Sequence, residues 1–252
     1  MNASKTSIGW AGCFGCVLVC AALPCRAESY HSGMYGYTIT LPADWKHIPG
    51  DVLHSLTERM QNPDAPRRPR FDVGFQPAAN DRWFKYPYLM VQVVPYAEFG
   101  SLGQLNEDQF SRAVNAMTGA NLSKSMDQQM SPQARALLSG ISVGEPELDT
   151  ANRCYHVSIT MNVAGVGPVR SELRGYFGRE SLVQVMFYST EADADQLADI
   201  RKSIADSFAF DPDKAYSGGS HFAGASSSTL LAAVIGAAVA LAIFALQKSQ
   251  AR

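Results

Sequence analysis

The chain has 252 residues, 46% of them hydrophobic and 17% charged, with a formal net charge of −2. That balance excludes a nucleic-acid surface spread over the molecule, and the length allows one domain with a substantial core. Four of the five cysteines precede residue 28, so the rest of the chain keeps only Cys154 and has no internal disulfide.

In chain order, Lys5, an apolar run over 8–23, and Cys25 and Ala27 at positions −3 and −1 of a cut predict a secretory signal peptide, residues 1–27. The alternative is an uncleaved anchor, because the run approaches spanning length. The domain expected next covers 28–210. Tyr35, Tyr37, Ile39 and Leu41 alternate with Gly36, Thr38 and Thr40, which predicts a half-buried strand over 35–42. Pro42, Ala43 and Asp44 then turn, and Trp45 caps the core. A helix is expected over 50–60 with Leu53, Leu56 and Met60 on one face, followed by a short strand alternating Phe71, Val73 and Phe75. The arginines at 67, 68 and 70, set among prolines, read as an exposed loop. Residues 88–94 are nearly all apolar, the pattern of a strand covered on both faces.

Asn106 and Gln109 bracket a helix start whose inner stripe is Phe110, Val114 and Met117. A shorter helical piece is expected over 133–138. Three strands follow, over 153–163, 169–177 and 182–188, joined by turns at Gly165 to Gly167 and at 178–180. A last helix starts at Thr190 and runs through Ser207, with Leu197, Ile200, Ile204 and Phe208 inward. This order predicts an α+β domain around a largely antiparallel sheet.

Beyond it, residues 211–228 are rich in Gly, Ser and Ala and read as a flexible linker. Residues 230–246 carry no charge and no hydrogen-bonding side chain, and at about 1.5 Å each they reach about 25 Å, enough to span a thin hydrocarbon core. A transmembrane helix is therefore expected over 229–247. Lys248 and Arg252 follow it, which places the tail 248–252 in the cytoplasm and the domain outside. The expected location is the bacterial inner membrane, single-pass, with a periplasmic domain. A sorting tail proteolysed after export is the weaker alternative. Ala232, Gly236 and Ala240 at four-residue spacing offer a face for a homodimer. All 23 acidic residues lie in the exported part, against 17 basic ones once Lys5, Arg26, Lys248 and Arg252 are set aside. Its net charge of −6 argues against a nucleic-acid partner.

The segment YGYTITLPADWKHIP resembles the opening strand and P-x-x-W turn of the PsbP-like superfamily. The ending QVMFYSTEADADQLADIRKSIADSF is similar to that superfamily's last strand and terminal helix. The resemblance implies an α/β/α sandwich without enzymatic activity that acts by binding a partner. It transfers no functional residue, because the shared positions are structural.

Alternation along the three late strands puts Tyr155, Val157, Ile159, Met161 and Val163 on one face and Cys154, His156, Ser158, Thr160 and Asn162 on the other. A three-residue loop at Gly165 to Gly167 would set His156 opposite Tyr176, Ser158 opposite Arg174 and Thr160 opposite Glu172. A second such loop, over 178–180, would add Gln184, Met186 and Tyr188 to the polar face. Three readings of that face compete: a solvated surface, a binding surface formed by His156, Glu172, Arg174, Tyr176 and Tyr188, and catalysis by Cys154 with His156. Side chains two apart on a strand stand nearly parallel, about 6.5 Å apart, which converges poorly for a thiolate–imidazolium pair.

No G-x-S-x-G, H-E-x-x-H or P-loop is present, and the histidines show no metal-ligand spacing, so no cofactor is expected. The expected function is a membrane-tethered, extracytoplasmic, non-catalytic binding or accessory domain of an envelope or membrane assembly, with the membrane reached through residues 230–246 and a protein partner at the envelope. The alternative is a hydrolase with its site on the polar face of 153–188.

Overall fold

The computed structural model describes residues 27–60, 71–95, 130–149 and 151–216. The signal and transmembrane segments, the arginine cluster at 67–70 and the expected helix over 106–117 lie outside the described residues. Among those described, no helix is long and apolar enough to cross a membrane.

The apolar run becomes β5 (Tyr88–Pro95) at the middle of the main sheet, and its residues are buried on both sides as expected. On one side β5 is flanked by β4 (Phe71–Pro77) and then β3 (Trp45–His47). On the other lie β10 (Ser181–Thr190), β9 (Gly167–Phe177), β8 (Cys154–Val163) and β6 (Leu138–Val143), with β7 (Glu147–Asp149) also paired to β8. All these pairings are antiparallel. A smaller sheet joins β1 (Glu28–Ser32), β2 (Tyr37–Leu41) and β11 (Ala209–Phe210). The fold is thus a sheet-rich, largely antiparallel α+β fold with few helices.

Burial of both sheet faces creates two cores. Tyr88, Met90, Tyr155, Val157, Leu173 and Met186 belong to the first, with Leu53 of α1 (Gly50–Met60) and Ala134 of α2 (Pro132–Leu137). Ser131 caps α2, its Oγ accepting from the Ala134 N–H at 3.1 Å, and Pro132 takes the first turn where no N–H is needed. The second core holds Ile39, Trp45, Leu89, Val91, Val185 and Phe187, covered by the small sheet and by Ile204 of α3 (Ala198–Asp206). Asp72 ties the small sheet down by accepting hydroxyls from Tyr37 at 2.5 Å and Ser32 at 3.0 Å.

Several expectations are corrected. Phe71, Val73 and Phe75 do not share a face: a bulge between Phe71 and Val73 sends Phe71 to the first core and the other two to the second. The last helix is shorter than 190–207, because residues 191–197 form turns. Asp193 donates its N–H to Thr190 Oγ1 at 3.2 Å, and the aspartates there compete with helical hydrogen bonding. Its inward stripe holds, since Leu197, Ile200, Ile204 and Phe208 all pack in the second core.

Contacts with the body of the fold continue past residue 210. Asp211 N–H bonds Gly36 O at 2.9 Å, Lys214 Nζ donates to Glu180 at 2.8 Å, and Ala215 bridges to Gly178.

Candidate functional site

The turn over 164–166 pairs Val163 with Gly167, and Gly165 (φ +75°) and Gly167 (φ +105°) supply the left-handed backbone it requires. The pairing sets His156 opposite Arg174, Ser158 opposite Glu172 and Cys154 opposite Tyr176. The expected register is therefore wrong by two residues. A shift of two preserves the face, so these six still lie together.

The next connection breaks the expected phase. Leu182 pairs with Phe177, leaving four residues in the loop instead of three. Gly178 N–H bonds Ser181 O at 2.9 Å, and Gly178 has no room for a side chain beneath the Phe210 ring. The odd offset turns Val183, Val185 and Phe187 toward His156, Glu172 and Arg174. Gln184, Met186 and Tyr188 turn into the opposite core. Tyr188 is fully buried and stacked on Tyr88 with centroids 4.7 Å apart, so it is no part of a surface site.

The face is consequently polar on β8 and β9 and apolar on β10 and β5. α3 lies along this boundary and leaves a cleft of about 260 Å³. Val185 and Phe187 line its apolar side, His156, Glu172 and Arg174 its sheet rim, and Arg201 and Lys202 its helical rim. A second hollow of about 430 Å³ opens beyond Arg174 and Ala205, which line both. Its aromatic wall is Tyr176, Phe208 and Phe210, with Tyr176 stacked on Phe208 at 3.9 Å and its hydroxyl donating to Ala205 O at 2.7 Å. Tyr176 is 7% exposed and serves as wall and buttress.

Electrostatics separate the charged groups into satisfied and available ones. Glu172 accepts from His156 Nε2 at 2.6 Å and from Ser158 Oγ at 3.3 Å. Burial pushes the Glu172 carboxyl upward, but the His156 hydrogen bond and the charges of His156, Arg201 and Arg170 outweigh it and hold it below its ordinary range. Arg170, on the same strand face, is neutralised by a forked pair with Glu191 and by Asp195 at 3.6 Å. Arg174 faces Asp206 at 3.8 Å, contacts the Tyr176 hydroxyl and feels the charge of Asp149, and Asp206 is itself hydrogen-bonded to Lys202.

The arrangement does not make an activated nucleophile. Ser158 and His156 both address Glu172, whereas a triad needs the serine on the histidine. Cys154 is 3% exposed, and burial, with a contribution from Asp149, pushes its thiol up to about 11. No cluster of three or more His, Cys, Asp or Glu that could hold a metal is found among the described residues.

Period-two alternation places His156, Glu172 and Arg174 on one face, where the structure also has them, but does not bring Arg201, Lys202 or the apolar side of the cleft beside them. A signal for Arg201 was present: it lies four residues after Leu197 and four before Ala205, on the flank of the inward stripe.

No family model matches this chain, and no curated protein matches it. Solved structures similar to it include cyanobacterial PsbP (CyanoP) from Synechocystis sp. PCC 6803, at 13% identity and TM-score 0.43, covering 81% of this chain and 98% of that one. A second is LpqN, involved in cell envelope biogenesis of Mycobacterium tuberculosis, at 12% identity and TM-score 0.37, covering 74% and 91%. A Bacteroides thetaiotaomicron VPI-5482 protein matches at 9% identity and TM-score 0.35, over 74% of this chain and 49% of that one. These are likenesses of fold, and nothing about function is carried over from them.

Proposed function

We propose that this chain is a membrane-tethered, extracytoplasmic binding module, an α/β/α sandwich that holds a protein partner in the cleft between α3 and the β8–β10 face. The observation that carries this reading is the cleft's composition: cationic Arg174, Arg201 and Lys202 line it together with the apolar side chains Val185 and Phe187. Charged or polar groups around an apolar centre are the pattern of a protein interface.

The tether supports the same reading. Residues 211–216 are held against the domain, and Tyr216 stacks beneath Arg153 at 4.5 Å, beside the second hollow. With a transmembrane segment over 229–247, twelve residues (217–228) separate this point from the bilayer. A flexible chain of that length averages about 20 Å, so the hollows would stay near the outer leaflet of the inner membrane, within reach of a membrane-bound partner. No observation favours the hydrolase alternative.

The test is capture of partners from solubilised membranes by the full chain and by its Arg174→Glu/Lys202→Glu variant. Loss of a wild-type partner from the variant supports the proposal; identical partner profiles would refute it. Tyr176 is a poor target for such a test, because its substitution would unseat Phe208.

A further inference from the structure

We infer that the two hollows form one continuous docking trough that reads an acidic residue flanked by apolar side chains in the partner, with Arg174 receiving the carboxylate. The inference rests on the binding role proposed above and specifies the chemistry of what is bound.

The argument starts from the two arginines of β9. Arg170 and Arg174 project from the same face, four residues apart. Arg170 is neutralised by the forked pair with Glu191 and by Asp195, leaving little capacity for another anion. Arg174 faces Asp206 at 3.8 Å, a carboxylate that already serves Lys202, and its other side-chain contact is the neutral Tyr176 hydroxyl, so it has no forked carboxylate pair of its own. A guanidinium prefers a planar, two-bond carboxylate contact, so an incoming acid offers Arg174 better geometry than Asp206 does.

Position adds the second strand of the argument. Arg174 lines both hollows, which makes it the point where they meet. On one side the lining is aliphatic and aromatic (Val185, Phe187, Ile204); on the other it is the Tyr176, Phe208 and Phe210 wall. A segment with an acid at its centre and an apolar group on each side would place each group against its complement. Charge agrees with this. Arg153, Arg174, Arg201 and Lys202 line the two hollows against Glu172 and Asp206, an excess of two positive charges on a chain whose net charge is −2. The positive-φ turn at Arg153 (φ +49°) brings that fourth cation to the far mouth.

The occupant is therefore a peptide segment of the partner with the pattern apolar–acidic–apolar. The experiment is fluorescence anisotropy of a labelled, terminally blocked Gly-Phe-Asp-Phe-Gly peptide titrated with the purified full-length chain. Saturable binding is expected, weakened roughly tenfold or more when the peptide's Asp is replaced by Asn or when the protein carries Arg174→Met. Binding should fall with added salt and survive Arg170→Met. The Asn peptide tests the charge requirement without altering the protein, so a folding defect in the Arg174 variant leaves the result readable. Equal binding of the Asp and Asn peptides, or no binding of either, would overturn the inference. If either result came while partner capture still depended on Arg174 and Lys202, the inference would fall and the binding role would stand. Loss of both would sink the two together.

Discussion

His156 Nε2 donates to Glu172 Oε2 at 2.6 Å, diagonally across two strands whose direct pairs are His156 with Arg174 and Ser158 with Glu172. The contact ties the rim of the cleft to itself. The charge of Glu172 is spent within the rim, and that of Arg174 is left to face the hollows.

This pair makes a pH prediction. The Glu172 carboxyl titrates below its ordinary 4.5 in the folded chain, so its stabilising contribution is complete above that value. It is lost as pH falls through the lower folded value. Glu172→Gln should cost about 1 kcal/mol near neutral pH, where it removes a charge-assisted bond but keeps a neutral acceptor. The difference between the two proteins should shrink toward zero in acid. Thermal denaturation of both across the acid range checks this; a gap that widens in acid would contradict it.

The opposite core carries a second dependence. Gln184 Nε2 donates to the Tyr155 hydroxyl at 2.5 Å, and the Tyr155 ring reaches it by crossing Gly175, where an added Cβ would lie 2.2 Å from Cε1. Gly175→Ala should cost about 3 kcal/mol by overpacking, because Tyr155 is fully buried and packs on Phe177. Tyr155→Phe should cost about 1–2 kcal/mol by leaving the buried amide without its acceptor. Chemical denaturation measures both, and a neutral Gly175→Ala would refute the packing account.

Cys154 should be inert. A thiol pushed up to about 11 is thiolate to only about one part in a thousand at pH 8, and its burial closes the approach as well. Alkylation of the folded chain followed by peptide mapping should leave Cys154 unmodified until denaturant is added. Rapid native labelling would reopen the case for a reactive cysteine.

What was legible in the sequence follows from which periodicities are local. Alternation along β8 names its two faces without knowledge of any partner, so it puts His156 and Ser158 on the side where the structure has them. The β9–β10 phase depends on one residue of loop length, and that residue is set by a long-range fit: Gly178 under Phe210 and against Ala215, far along the chain. Nothing near 178–181 encodes it, so alternation alone puts Tyr188 on the polar face and the structure puts it in the opposite core. Short strands such as β3, β7 and β11 carry too few residues to show a period and exist through their neighbours. Lys202 reads in sequence as an ordinary solvated helix residue; only docking of α3 on the apolar β10 face makes it part of a rim.

The most direct test of the binding role is a photo-crosslinking residue placed at Lys202, on the cleft rim, and separately at Lys85, which is exposed but outside both hollows. Irradiation of intact cells expressing the full chain should yield a discrete partner adduct from position 202 that is absent from position 85. The same adducts from both positions, or none from 202, would contradict the assignment of this cleft as the binding surface.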